Sequence, residues 1–419
     1  MKAEIISIGT EILIGSILNT NARFLAQKLA ENGIDVYHQT AVGDNAGRIV
    51  EAFRLAASRA DILISSGGLG PTEDDVTMKS VSRFTGRQLL LHRPTHTHIC
   101  RVLERRGYPI TRFVARQCYL PKDSFIMQNE RGTAPGVLIE FSRENQKKWL
   151  LVLPGPPKEL EPIFIRQALP LLIKRTHTKR EHFIVKSIKI TGLLESQVAQ
   201  KTTDLLKLKP PLTVGIYASP GMVELKIMGK SRSLKQISKK IIGIEKIIRK
   251  RFGNHVFGTG NETLASTTGT LLRKIGKKLA TAESCTGGLL SHLITEVPGS
   301  SDYFLGSVVA YHNRIKSSQL NIDLPAIKKN GAVSETVAKK MAQNVRDLLK
   351  SDYGIGITGI AGPGGSSKAK PVGLVYIAVA AKRRTFCKKF RFFGTRSEIK
   401  SSAAHKALDS LRLELLKAR

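Results

Sequence analysis

Two stretches of the chain combine residue types that bind phosphate or a metal. SSGGLGPTEDD (65–75) follows the apolar run ADILI, which puts Gly67, Gly68 and Gly70 at the end of a buried strand. Open α/β sheets bind ligands at that edge, and glycine lets the backbone approach a phosphate closely. Thr72 and the carboxylates Glu73, Asp74 and Asp75 come next. Hard oxygen ligands of this kind suit a divalent ion such as Mg²⁺, with Asp74 and Asp75 as the candidate pair. The same acids would equally serve to offset a helix macrodipole, and the spacing leaves both readings open. GTEIL (9–13), NERGTAPG (129–136) and PGPPKE (154–159) add turns that can reach the same edge. Gly9, Glu11 and Glu159 are therefore expected to converge with the glycine loop on one nucleotide pocket.

A second group lies in the last third of the chain. TAESCTGGLLSHLI (281–294) reads as strand, turn and a helix over 287–296, so Ser284, Cys285 and Thr286 fall where a helix start leaves backbone N–H groups free. That would be an anion or oxyanion site, with Ser284 or Cys285 as a nucleophile; Ser and Thr are also ordinary N-caps, and Cys is a common core residue. PGSSDYFLGSVVAYHNRIKSSQL (298–320) brings Ser300, Ser301, Tyr311 and Lys316 together in sequence. A hydroxyl beside a desolvated lysine gives a nucleophile without His or Asp. ITGIAGPGG (357–365) again runs a buried strand into glycine turns, with Thr358 and Gly359 as an oxyanion contact, a phosphate cradle or a plain loop. Of the histidines only His292 and His312 fall within these motifs, and a His-based mechanism is not expected.

The elements that must carry these residues read as α/β throughout. EIISI (4–8), VYHQTAV (36–42), ADILI and KKWLLVL (147–153) are strands, with helices at 21–32 and 48–58 between them. A doubly wound sheet over 1–172 is the simplest arrangement. A polar basic link over 173–180 leads to FIVKSIKIT and GMVELKIMGK, which with Ile237, Ile241, Ile244 and Ile248 at helical spacing make a small α/β connector to 258. A third α/β domain over 259–419 alternates strands and helices, ending in a helix from 395 to 417.

The totals narrow the function classes. The chain has 419 residues, which suits two or three domains, and a hydrophobic share of 41% that excludes the disordered class. It opens without a signal-peptide pattern and nowhere runs 18 apolar residues, so a cytoplasmic protein with no membrane contact is expected. Four scattered cysteines without a CxxC pair speak against a disulfide framework and structural zinc. The formal net charge of +34 invites a nucleic-acid partner, but the basic residues are spread over polar helix faces and not interleaved with stacking aromatics. A nucleic-acid partner is not expected on that account, whereas anionic substrates would be drawn in.

Several of these strings also carry a resemblance. Residues 1 to about 170, with GDNAGRI, SGGLGPTEDD and PGPPKEL in order, resemble the N-terminal part of the CinA family and its MoaB/MogA-type molybdopterin-binding fold. The resemblance implies either metal-dependent hydrolysis of the ADP-ribose pyrophosphate or molybdopterin binding. AESCTGG, NGAVSETV, ITGIAGP and KPVGLVYIAV make 259–419 similar to the CinA C-terminal domain, which implies hydrolysis of the amide of nicotinamide mononucleotide without a cofactor. Carried over by position, its site falls on Ser284, Ser301, Tyr311, Lys316, Thr358 and Arg396. Ser301 would attack, Lys316 accept the proton, Tyr311 orient the pair, and Ser284 with Thr358 hold the oxyanion; the two serines could exchange roles. Arg396, with Gly287 and Gly359, would hold the substrate phosphate. The resemblance further implies small-molecule nucleotide substrates and a homodimer. Two positions depart from the pattern: Lys400 stands where a second Arg is usual, and GMVELKI lacks an acid after its glycine. The rival expectation is a competence-associated protein that binds nucleic acid or molybdopterin without turnover.

Overall fold

The computed structural model describes residues 1–109, 114–175, 182–219 and 221–417. The chain divides into two compact units, Met1–Ile184 with Lys230–Gln236, and Val185–Gly229 with Ile237–Arg419.

In the first unit strands β1 (Lys2–Ile8), β2 (Asp35–Val42) and β3 (Ile62–Ser66) are parallel, because each is followed by a helix that returns the chain across the sheet. A short hairpin-like pair, β4 (Leu89–Leu91) and β5 (Tyr119–Pro121), stands apart as its own two-stranded sheet. Strands β6 (Phe125–Met127), β7 (Gly136–Arg143) and β8 (Gln146–Leu153) complete the main sheet in the order β2-β1-β3-β8-β7-β6. β8 is parallel to β3, and β7 and β6 add an antiparallel edge. Alternating side chains feed two cores: Ile5, Ile64 and Leu151 face one, and Ile6, Leu63 and Leu150 the other. Burial on both faces explains the unbroken apolar runs. The sequence leads from β1 to β2 on one side and from β3 to β8 on the other, so β1 and β3 flank a topological switch point whose crevice opens at their C-terminal ends.

The second unit begins with a sheet ordered β10-β11-β9-β12, from β9 (His182–Thr191), β10 (Leu212–Ser219), β11 (Met222–Ser231) and β12 (Val256–Thr259). The first three residues of β9 and the last two of β11 belong to the first unit by contacts. The basic link expected over 173–180 falls partly outside the described residues. The helix Leu234–Phe252 buries Ile237, Ile241, Ile248 and Phe252, the period read from the sequence. A five-stranded sheet follows, ordered β14-β13-β15-β16-β17, from β13 (Leu279–Glu283), β14 (Phe304–Val309), β15 (Tyr353–Gly359), β16 (Leu374–Ala380) and β17 (Thr385–Arg391). β13 is parallel to both β14 and β15. One face packs on Ile399, Leu408 and Leu411 of the closing helix Arg396–Lys417, the other on Val337, Met341 and Val345 of Glu335–Leu348. Among the described residues no helix is long and apolar enough to cross a membrane.

Candidate functional site

The centre with the clearest chemistry lies at the C-terminal end of β13. Its last residue, Glu283, is fully buried, and its carboxylate accepts the N–H groups of Gly288 at 3.0 Å, Leu290 at 3.0 Å and Ser291 at 2.8 Å, together with the Ser291 hydroxyl. This corrects the expectation that the helix start is open to an anion; only the turn before it, at Cys285 and Thr286, keeps N–H groups that no backbone carbonyl among the described residues accepts from. The helix begins at Leu289 and ends at Thr295, and the chain's own carboxylate already fills its N-terminus. Fastened in this way, the turn 284–288 holds Ser284 against the sheet, with the Ser284 N–H donating to the Ile357 carbonyl at 3.0 Å.

Lys316 comes to Ser284 from the other side. β14 ends beside β13, Ala310 N–H donates to Glu283 O at 2.8 Å, and the His312 ring accepts the Arg314 N–H at 3.2 Å to start the helix Asn313–Leu320. His312 is therefore a helix cap and not a base. One turn on, Lys316 is 1% exposed, and its Nζ lies 3.0 Å from Ser284 Oγ, 2.8 Å from Ala310 O and 3.2 Å from Tyr311 O. Burial lowers its pKa from the ordinary 10.5, with the neighbouring Cys285 thiol opposing the shift more weakly. Burial also pushes the Cys285 thiol up to about 12, which keeps it protonated.

The other expected residues divide. Ser301 is not at this centre. It lies in the exposed turn Ser300–Asp302 just before β14, and since Leu279 of β13 pairs with Phe304, that turn sits at the opposite edge of the parallel strands from Ser284. Tyr311 is at the centre, but its backbone carbonyl, not its ring, touches Lys316; the ring hydroxyl accepts from Arg396 Nη2 at 2.8 Å. Arg396 opens the closing helix and also donates to Gly362 O, so it stands beside Tyr311 at the rim. Thr358 is buried and donates its hydroxyl proton to Ala332 O at 2.8 Å, which leaves no proton for an oxyanion. Gly359 is not a phosphate cradle either: a Cβ there would meet Leu374 O at 2.8 Å, so the residue serves the close pairing of β15 with β16. Gly287 lies in the Ser284 turn, with Lys400 Nζ 3.7 Å from where its Cβ would be. Glu283 was not among the expected site residues; an acid closing a buried strand is the sequence signal for it.

The first unit holds a cavity of about 610 Å³ at the C-terminal ends of β1, β3 and β8. Gly9, Glu11, Gly67, Gly68, Gly70, Asp74, Asp75 and Glu159 all line it; Thr72 lines an adjoining cavity. Gly67 has φ +107°, and a Cβ there would sit 2.0 Å from Ile8 O, so no other residue fits. Asp75 Oδ2 accepts from Thr72 N–H at 2.9 Å and Thr72 Oγ1 at 2.5 Å, which shapes the loop. A hydrogen bond from Thr72 holds the exposed Asp74 below its usual carboxylate pKa. Asn129 donates to Glu159 Oε2 at 2.5 Å. Asn21, missed in the sequence, stitches two strand ends by donating to Ser66 Oγ at 3.0 Å and Gly155 O at 2.6 Å. No spacing links residues so far apart. Among the described residues no group of three or more His, Cys, Asp or Glu is placed to hold a metal.

Comparison with known proteins covers the whole chain. Residues 4–174 match the model of a probable molybdopterin binding domain, 185–258 that of the damage-inducible protein CinA KH domain, and 261–415 that of the CinA C-terminal domain. A CinA-like protein of Kosmotoga olearia is 41% identical over 416 residues, 99% of either chain. A putative competence-damage inducible protein of Caldicellulosiruptor saccharolyticus is 41% identical over 417 residues, 99% of this chain and 100% of its own. Among solved structures, the competence/damage inducible protein CihA of Agrobacterium tumefaciens is 35% identical, covering 36% of this chain and 93% of its own with a TM-score of 0.36.

Proposed function

The chain belongs to the CinA family, and from that premise we propose that its C-terminal part hydrolyses the amide of nicotinamide mononucleotide, with Ser284 and Lys316 as the reacting pair. The observation that carries this reading is the set of three oxygens around Lys316 Nζ, two backbone carbonyls and one hydroxyl. A neutral amine has two N–H donors and one lone pair. Ala310 O and Tyr311 O can only accept, so they take the two donors and the lone pair is left facing Ser284 Oγ. Burial favours that neutral form.

Ser284 Oγ then adds to the carboxamide carbon while its proton passes to Lys316 Nζ. No backbone carbonyl among the described residues accepts from the N–H groups of Cys285 and Thr286, which stand ready for the oxyanion. When the C–N bond breaks, Lys316 returns the proton to the nitrogen and ammonia leaves. A water that loses its proton to Lys316 cleaves the acyl-enzyme, and the same proton restores Ser284, giving nicotinate mononucleotide. Arg396 at the rim would hold the substrate phosphate as a charge-assisted anchor. Ammonia release from nicotinamide mononucleotide by the purified chain tests the reading; Ser284→Ala is expected to lower kcat by about 10³-fold or more. Turnover near that of the parent would overturn it.

For the N-terminal part the reading is metal-dependent cleavage of the ADP-ribose pyrophosphate, supported by the glycine-framed cavity at the switch point. Magnesium takes one or two carboxylates from a protein and completes its shell with water and substrate phosphate oxygens, so Asp74 and Asp75 fit an ion of that kind. The ion would neutralise charge on the pyrophosphate, and the chain's glycine loop would orient it. Molybdopterin binding without turnover is the competing reading; AMP released from ADP-ribose only with a divalent ion present decides for hydrolysis.

A further inference from the structure

Glu283 decides which N–H groups between Ser284 and Ser291 are left over. Ser284 donates to Ile357 O at 3.0 Å, Gly287 to Ser284 O at 3.1 Å and Leu289 to Thr286 O at 3.3 Å. The Glu283 carboxylate takes the next share. Its Oε2 accepts from Gly288 and Leu290, and its Oε1 from the Ser291 N–H and the Ser291 hydroxyl. The N–H groups of Cys285 and Thr286 remain, with no backbone carbonyl among the described residues to accept from them. Two donors on each oxygen fill the acceptor sites of a carboxylate, so Glu283 has none to offer a substrate or a moving proton. It is fully buried besides, and its charge-assisted bonds tie the end of β13 to the helix Leu289–Thr295 across the turn.

We propose that Glu283 is the positioning residue of this centre. By fixing Gly288, Leu290 and Ser291 it holds the turn in the shape that sets Ser284 Oγ 3.0 Å from Lys316 Nζ and leaves the N–H groups of Cys285 and Thr286 for the oxyanion. The assignment rests on the amide-hydrolysis reading of the centre and adds to it a residue that touches neither substrate nor base. Donors reserved for an oxyanion act on the tetrahedral state and not on the bound amide, so a loosened turn lowers kcat and spares KM. A carboxylate that served folding alone would lower stability and leave the turnover of the folded molecules as it was.

Glu283→Gln in the full chain tests this, because it keeps the shape of the side chain while its NH2 group cannot accept, and N–H donors lose their acceptor whichever way the amide turns. Two rates are read on protein shown to be folded by its melting curve: ammonia release from nicotinamide mononucleotide, and modification of Ser284 by a fluorophosphonate, followed by mass spectrometry. Both are expected to fall about a hundredfold, with KM within about threefold of the parent. Ser291→Ala removes one donor of the four and should lower both rates by about three- to tenfold, again without a change in KM. Parental rates in folded Glu283→Gln, or a raised KM with kcat kept, overturn the assignment; if Glu283→Gln does not fold, parental rates in Ser291→Ala do so. A parent that is modified at Ser284 but releases no ammonia overturns the amide reading alone, since the modification rates still test Glu283. A parent that does neither overturns both.

Discussion

Both candidate sites stand at the C-terminal ends of parallel strands, yet they are built from opposite materials. In the first unit the cavity is wide, and Asp75 of its glycine loop is tied to Thr72 three residues away in the same loop. In the second, one amine is taken almost wholly out of water and brought to a hydroxyl 32 residues away. The contrast separates binding from proton transfer. A phosphate is held by many dispersed, solvated contacts, whereas moving a proton at neutral pH needs one group whose charged form is disfavoured.

The sharpest way to break that contrast is at Lys316. Lys316→Met should lower kcat by about 10³-fold or more while leaving the fold intact. In the parent, kcat/KM should rise with pH through an inflection below 10.5, as the amine loses its proton. Stability gives an independent readout. The folded pKa is lowered, so between it and 10.5 the unfolded chain binds the proton that the folded chain has lost, and parental stability rises with pH. Lys316→Met lacks this contribution. Its melting temperature relative to the parent should therefore be most favourable below the folded pKa, with the advantage fading toward 10.5. A variant that is inactive but shows no such pH trend would deny the buried neutral amine.

On the other side of the comparison, Asp75→Asn keeps an oxygen to accept from Thr72 and removes the charge. If the acid serves a divalent ion, ADP-ribose cleavage should fall on the order of a hundredfold, with the loss eased by raising the metal concentration. Cleavage at the parental rate and metal requirement would return Asp75 to a purely loop-shaping role. Arg396→Ala should act more weakly and on binding. KM for nicotinamide mononucleotide should rise about ten- to a hundredfold with kcat within about threefold, as expected of a charge-assisted anchor shared by ground and transition states. A fall in kcat with unchanged KM would place Arg396 in the chemistry.

Much of this was legible in the sequence, for physical reasons that differ by site. The strands β1, β3 and β15 announce themselves as apolar runs closed by glycine, and loops of the first cavity follow β1 and β3 directly. β17, TFCKKFR, was not legible: it is an edge strand with exposed lysines, so burial writes no clear alternation into it. The Ser284–Lys316 pair was legible in its residue types but not in its pairing. Ser301 is nearer to Lys316 in sequence than Ser284 is, and only the parallel register of β13 and β14 puts Ser284 at the right edge. Thr358 and Gly359 looked like site residues because they end a buried strand, while their contacts belong to strand and loop packing.

Ser301→Ala is accordingly the variant with the smallest expected effect and the one that tests the topology most directly. Ser301 lies in the turn before β14, Ser284 in the turn after β13, and the two strands run parallel with Leu279 opposite Phe304. Five residues of β13 separate the two edges. At roughly 3.3 Å per residue that is about 16 Å, far beyond the hydrogen-bond reach a nucleophile and base require. The turn is exposed, so losing one hydroxyl costs little stability. Ammonia release by Ser301→Ala should therefore stay within about twofold of the parent in both kcat and KM. A loss as large as that of Ser284→Ala could not come from within one chain. It would require a second copy to deliver its Ser301 to this Lys316, and mixing Ser301→Ala with Lys316→Met protein would then restore activity that neither has alone.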